Sequence, residues 1–440
     1  MTNVPMTLPD LVLATHKTPF FHSSTFVELE DGRILHAAGS RFTTSDDGGI
    51  TWSDISERHD VNGNRVGGGG SSLVKLDGRG IGLAAMAPMD DDDPWTRCVV
   101  FWRSPDGGET WEAPVRVSPV NIKTHMYQDV ALRTSSGRII LPVYTSIGQR
   151  TPPNDMESPV SGKLVHNQWV STAGHFFDPG YSMVYVLYSD DDGRTWQRNS
   201  DGELNIIFDW NATYSYVNEP TVTEVQPGIL LMMMRTGVGR IYQAWSHDNG
   251  ETWTRPYPTS LASSTAPCQI RTLPTGHLLA VWNQENEAEV KMGFNRTRLS
   301  AAISRNGGSV WEFFQNVQSL HEKTRVEPGP IAPLRPAEQH YRPGRPAPER
   351  EAEYIESADT HARWSYPSVF VMKDRVIIAH TYTLYKSHPT DARLITEGGK
   401  GTAWNQKMKV LPLNWFYGGK NPSDNPILRV QPGSYDIAVP

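Results

Sequence analysis

Residues 218–253 read NEPTVTEVQPGILLMMMRTGVGRIYQAWSHDNGETW, and the fold is decided there. An alternating run, residues 221–225, meets a turn at Pro227-Gly228. A second apolar run, residues 229–234, ends at Arg235, and a third, residues 241–245, enters Ser246-His247-Asp248-Asn249-Gly250-Glu251-Thr252-Trp253. Short β-rich runs punctuated by Gly, Asp and Asn predict an antiparallel meander. Glu219 and Arg235 stand at the far ends of its first hairpin, where antiparallel pairing sets them side by side. A carboxylate and a guanidinium therefore share one rim, either serving a site or pairing across the hairpin.

The last eight residues of that stretch recur. The pattern Ser-x-Asp-x-Gly-x-Thr-Trp runs over residues 45–52, 104–111, 189–196 and 246–253, and a degraded copy occupies 304–311. Turns between apolar runs provide a second count: Asp31-Gly32, Asp77-Gly78, Ser136-Gly137, Pro227-Gly228, Thr275-Gly276 and Lys373-Asp374. Six hairpins and five boxes predict six sheet units. One such unit cannot cover both its faces, so radial stacking into a six-bladed, all-β propeller of four-stranded antiparallel blades is the expected solution. The chain reads as a single domain over residues 1–440, with insertions at 146–180 and 313–363. The second, rich in Pro, Arg and Glu, reads as a solvated excursion, a contact between copies in a homo-oligomer, or a lid. Residues 407–412 or 11–16 are expected to supply the outer strand that closes the ring. The box itself reads as structural: Asp and Gly make a tight turn, hydroxyls satisfy its backbone and Trp packs beneath.

Composition narrows the function. The 440 residues carry a net charge of −7 with no basic block, which argues against a nucleic-acid partner. Cys98 and Cys268, the two cysteines, make neither a disulfide framework nor a metal-ligand pattern. No apolar run is long enough for a membrane span, and residues 1–17 lack a basic stretch before a long apolar core. The default expectation is a cytoplasmic protein without a membrane partner, or a secreted one whose leader has been removed. Asp90-Asp91-Asp92-Asp93 reads as a solvated turn rather than a Ca²⁺ site, so neither metal nor cofactor is expected.

Five Asp boxes on six blades resemble the sialidase (neuraminidase) superfamily. The resemblance spans residues 22 to about 390 and speaks to fold more than activity, since one propeller hosts several chemistries. It implies a glutamate opening the inner strand of blade 4 and an arginine ending the next strand, which Glu219 and Arg235 match. It implies a further arginine in Asn295-Arg296-Thr297-Arg298-Leu299, where Arg296 is the match and Arg298 the alternative. It implies a nucleophilic tyrosine in Trp364-Ser365-Tyr366-Pro367-Ser368, where Tyr366 fits. Blade 1 departs from the pattern: His22 stands where the family has its first arginine, and Ala38-Gly39-Ser40-Arg41 runs into the box without the loop that carries an acid/base aspartate.

The chemistry implied is release of a terminal acidic sugar from a glycan or oligosaccharide. A neutral tyrosine is not repelled by the sugar carboxylate, yet a phenol of pKa near ~10 needs a base such as Glu219. Arg235 and Arg296 would hold the carboxylate through charge-assisted forks. Inner-strand entrances and facing strand ends add His22, Arg41, Tyr144 and Asn283-Gln284 to the rim. Asp129 or His125, ahead of Asp60 with its neighbour Arg65, are the candidate proton donors. Two further classes stay open. A polysaccharide lyase would draw on His22, His125, Tyr127 and Arg235. A binding propeller would turn nothing over.

Overall fold

The structure is a computed structural model. It describes residues 11–428 except 21–22, 91–92, 120–123, 148–161, 166–167, 172–180, 202–203, 207–216, 287, 290–295, 320–322, 332–359, 387–393 and 400–401. The chain forms a six-bladed β-propeller in which each blade is an antiparallel sheet, and in blades 1 to 5 the strands run in chain order from the axis outward. The inner strands are Ser24–Glu28, Gly69–Lys75, Leu132–Arg133, Val217–Gln226, Gln269–Thr272 and Thr360–Val371. Blade 4 is the meander of the opening stretch, with Val217–Gln226, Ile229–Thr236, Arg240–Ser246 and Tyr257–Ala262 in order. The two candidate closing segments both take part. Gln406–Pro412 is the third strand of blade 6, and Ala14–Thr18 pairs outside it with Ala14 opposite Val410.

Second strands such as Ile34–Ala38 and Leu278–Asn283 are buried along their whole length. This is what stacking on both faces requires, since a blade open on one side would keep a polar alternation. Among the described residues, six hydrophobic clusters lie one to each blade interface. Val27 and Leu35 meet Leu73 and Leu83 between blades 1 and 2. Phe26 and Ile34 meet Ile377 and Val410 between blades 1 and 6, which closes the ring.

The boxes are turns held by their own side chains. In the first, the Asp47 carboxylate accepts from the Thr51 hydroxyl (2.6 Å), Thr51 N–H (2.8 Å), Ile50 N–H and Ser45 hydroxyl (both 2.9 Å). Desolvation, the largest single influence, would raise the carboxyl pKa, but these bonds together outweigh it and hold it down at about 2. In the degraded copy Asn306 accepts from Val310 N–H and the Ser304 hydroxyl, both at 2.9 Å, so an amide oxygen does the same work. The box glycine is required by packing: at Gly49 (φ +89°) a Cβ would come within 2.6 Å of Ile377 on blade 6.

Of the first insertion, Gly162–Val165 pairs with Gln168–Ser171, and most of the remainder lies outside the described residues. Residues 313–319 belong to the fourth strand of blade 5 and residues 360–363 to the inner strand of blade 6. Between them, 332–359 lie outside the described residues. Among the described residues no helix is long and apolar enough to cross a membrane, and no cluster of His, Cys, Asp or Glu has the makings of a metal site.

Candidate active site

The entrances of the inner strands share a backbone feature that the sequence does not announce. Ser23, Gly70, Asp129, Glu219 and Tyr366, on blades 1, 2, 3, 4 and 6, all have positive φ. Non-glycine residues rarely adopt this conformation, and where they do the surroundings impose it. On blade 4 the register pairs Asn218 with Arg235 and Pro220 with Met234, leaving Glu219 as an extra residue. On blade 6 Ser365 faces Thr381 and Ser368 faces Ala379, so Tyr366 and Pro367 bulge out. A bulge re-aims a side chain that simple alternation would bury between sheets.

Glu219 and Arg235 form a buried ion pair, Nη1 donating to Oε2 at 2.6 Å, each about one-twentieth exposed. Desolvation alone would depress the arginine, but the Glu219 charge outweighs it and holds the guanidinium above its ordinary pKa. Blade 5 contributes Arg296. Its Nη1 donates to the Ser365 hydroxyl and its Nη2 to the Thr265 carbonyl, both at 3.2 Å, and its Cζ lies 5.1 Å from the Tyr366 ring centroid. Its buried Nε donates to nothing among the described residues. Burial lowers the Arg296 pKa, and the positive charges of Arg235 and Arg363 add to this. Arg363, which sequence reading passed over, is thus a third guanidinium within electrostatic reach. Arg298 is fully buried and paired with Glu289 at 3.0 Å, so the geometry separates the two candidate arginines.

Three tyrosines stand within electrostatic reach of this group. Tyr127 and Tyr144 are buried, and burial followed by the Glu219 charge pushes both phenols well above their ordinary pKa. The Tyr127 hydroxyl donates to the Pro367 carbonyl at 2.5 Å, and Gln128 Nε2 donates to the Tyr366 carbonyl (2.9 Å) and Ser368 hydroxyl (3.0 Å). Blade 3 therefore grips the bulge that presents Tyr366, which is itself half-buried.

The remaining expected residues fall elsewhere. Asp129 has both carboxylate oxygens engaged: Oδ1 by the Thr25 hydroxyl, Oδ2 by Val369 N–H and Arg271, all at 2.9 Å. Those donors come from blades 1, 6 and 5, so Asp129 ties the ring together across its centre. Burial raises its pKa even against the pull of Arg271. Asn283 is fully buried and donates to the Arg298 and Trp364 carbonyls, bracing blade 5 against blade 6. His125 is half-buried, bridged to Tyr144 through the backbone, with the two rings stacked at 5.3 Å. Asp60 accepts from Asn62 and Asn64 N–H within its own loop. Arg65 is mostly exposed and pairs with Glu57 at 3.2 Å. Arg41 is exposed on a cleft of ≈380 Å³ with Phe20, Ser23, Ser40 and Gly68. His22 lies outside the described residues. Arg271, which holds Asp129, and Glu285, whose carboxylate accepts the Arg296 and Thr297 N–H groups, carried no sequence signal.

A family model described as a BNR repeat-like domain matches residues 87–379. A sialidase of Bacteroides fragilis (strain YCH46) is 21% identical over 230 residues, 49% of this chain and 34% of that protein. The match thus spans about a third of that relative's length. The NanB sialidase of Streptococcus pneumoniae superposes with a TM-score of 0.53 at 14% identity, covering 90% of this chain and 69% of the other. A Hadza microbial sialidase gives 0.51 at 13% identity, covering 92% and 67%. A protein of unknown function from Dyadobacter fermentans gives 0.51 at 15% identity, covering 90% and 99%. At such identities the superpositions establish a shared fold, and the family match covers well over half of the chain. The chain belongs to the BNR repeat-like domain family and is a six-bladed propeller of the sialidase superfamily.

Proposed function

We propose that this propeller is a glycoside hydrolase that releases a terminal acidic sugar, a sialic acid or related ulosonic acid, from a glycan. The observation that carries the reading is the convergence on one mouth of the Glu219–Arg235 pair, Arg296 and the bulged Tyr366. In this reading the Tyr366 oxygen attacks the anomeric carbon while its proton passes to the Glu219 carboxylate. The bond to the leaving oxygen breaks, and the departing group takes up a proton. Water then attacks the anomeric carbon and the bond to the Tyr366 oxygen breaks. Tyr366 regains its proton from Glu219, the water's proton goes to the group that protonated the departing oxygen, and configuration is retained overall. Arg235 and Arg296 neutralise the sugar carboxylate, which in a water-poor mouth is worth far more than at a surface.

Asp129 has both carboxylate oxygens committed to the ring, so it is not assigned as the acid, and Asp60 has its Oδ1 held within its own loop. His125 stays the candidate donor from blade 3. The test is release of 4-methylumbelliferone from its N-acetylneuraminic acid glycoside. Tyr366→Phe should lose at least about a thousandfold in kcat, as removal of a nucleophile does elsewhere, with unchanged circular dichroism. Full activity of that variant, or an unsaturated sugar product from a uronate polymer in its place, would defeat the reading.

A further inference from the structure

We propose that Glu285 is a positioning residue of this site, holding the backbone of Arg296 in the conformation from which its guanidinium reaches the mouth. The inference rests on the reading of Arg296 as a ligand of the substrate carboxylate and deepens it. Glu285 lies two residues beyond the strand Leu278–Asn283 and is fully buried. Its Oε2 accepts the Arg296 N–H at 2.9 Å, while Oε1 accepts the Thr297 N–H at 2.5 Å and the Thr297 hydroxyl at 2.9 Å. Two successive backbone N–H groups pointing into one concavity form an anion nest. Here the chain fills that nest with its own carboxylate.

The turn needs such a hold. Arg296 has φ +63°, a region that an L-residue with a long side chain enters only under constraint. The conformation decides where the side chain goes, since its contacts to Ser365, Thr265 and the Tyr366 ring involve separate segments of the chain. Buried carboxylates are ordinarily paired with a cation. Glu285 is held by amides and a hydroxyl of the very turn that carries Arg296. Burial raises its pKa, and the Arg296 and Thr297 N–H bonds work against that rise.

Glu285→Gln keeps the shape and leaves one accepting oxygen, so an amide NH₂ faces a backbone N–H of the turn. Crystal structures of wild type and variant, and kinetics on the methylumbelliferyl sialoside, test the proposal. Arg296 should leave the left-handed region and its guanidinium withdraw from the Tyr366 ring. KM should rise roughly tenfold, the loss expected for one hydrogen bond to a charged ligand, with a smaller change in kcat. In an Arg296→Ala background the same substitution should change KM by less than about twofold, within ordinary additivity error. A Glu285→Gln crystal with Arg296 unmoved, or an equal effect in both backgrounds, would overturn the proposal, because a merely structural carboxylate acts without Arg296. If Glu285→Gln does not fold, Thr297→Val removes a single donor to Oε1. It should raise KM roughly threefold, and an unchanged KM counts against the proposal. A wild type without turnover of the sialoside defeats the hydrolase reading alone, and the position of Arg296 in the variant crystals still decides the role of Glu285.

Discussion

Arg235→Met should destabilise the protein severely, and Glu219→Gln added to it should restore most of the loss without restoring activity. The charges sit 2.6 Å apart and almost out of solvent. At an effective dielectric of 20 their attraction is about 6 kcal/mol. That is comparable to the several kcal/mol it costs to desolvate each ion, so the pair contributes little net stability. Removing only the arginine keeps the desolvation cost of Glu219 and deletes what offsets it, a loss of about 3–5 kcal/mol. For a chain of this size a kcal/mol moves Tm by about 2 °C, so the midpoint should drop by about 6–10 °C. A buried carboxylate deprived of its arginine can escape by taking up a proton, so the drop should be larger at neutral pH than near ~4. Differential scanning calorimetry of wild type, both single variants and the double variant, with sialoside assays on each, reads the effect. A single variant melting within a degree of wild type would refute the reasoning. So would a double variant no more stable than Arg235→Met.

Two other outcomes follow from the same geometry. With both carboxylate oxygens of Asp129 engaged elsewhere, leaving groups that depart without a proton should be favoured. The kcat/KM for an aryl sialoside should exceed that for a sialyl-galactoside by about a hundredfold, the lower end of what general acid catalysis contributes; equal values would reveal an efficient proton donor. Stability should also fall in acid through His36 and His380, both fully buried with pKa lowered by desolvation to about 3. Between an unfolded value of ~6.5 and that folded value the unfolded chain binds the extra proton, so each histidine costs about 1.4 kcal/mol per unit as pH drops. A denaturant titration across this range should show the slope, and His36→Asn should flatten it. An identical slope in that variant would rule out His36 as its source.

Sequence alone determined the architecture because its signals are local and repeated. A box such as Ser246 to Trp253 closes on itself through bonds spanning at most four residues, so its spacing counts blades. The same locality placed Glu219 beside Arg235, sixteen residues apart on one hairpin, although the bulge that brings Glu219 into play is visible only in the register. Tertiary structure decided which polar groups face the mouth. Asp129 looks as available as Glu219 until Thr25, Arg271 and Val369, each more than a hundred residues away, take up its oxygens. Arg296 and Arg298 sit two residues apart in one motif, and only burial beside Glu289 removes the second. Glu285 gave no motif at all, since its partners are backbone N–H groups whose direction is set by one residue's φ. Hairpin neighbours follow from residue spacing and backbone period. Whether a carboxylate is spent on a distant blade or left for a ligand depends on how the ring closes, which no window of sequence contains.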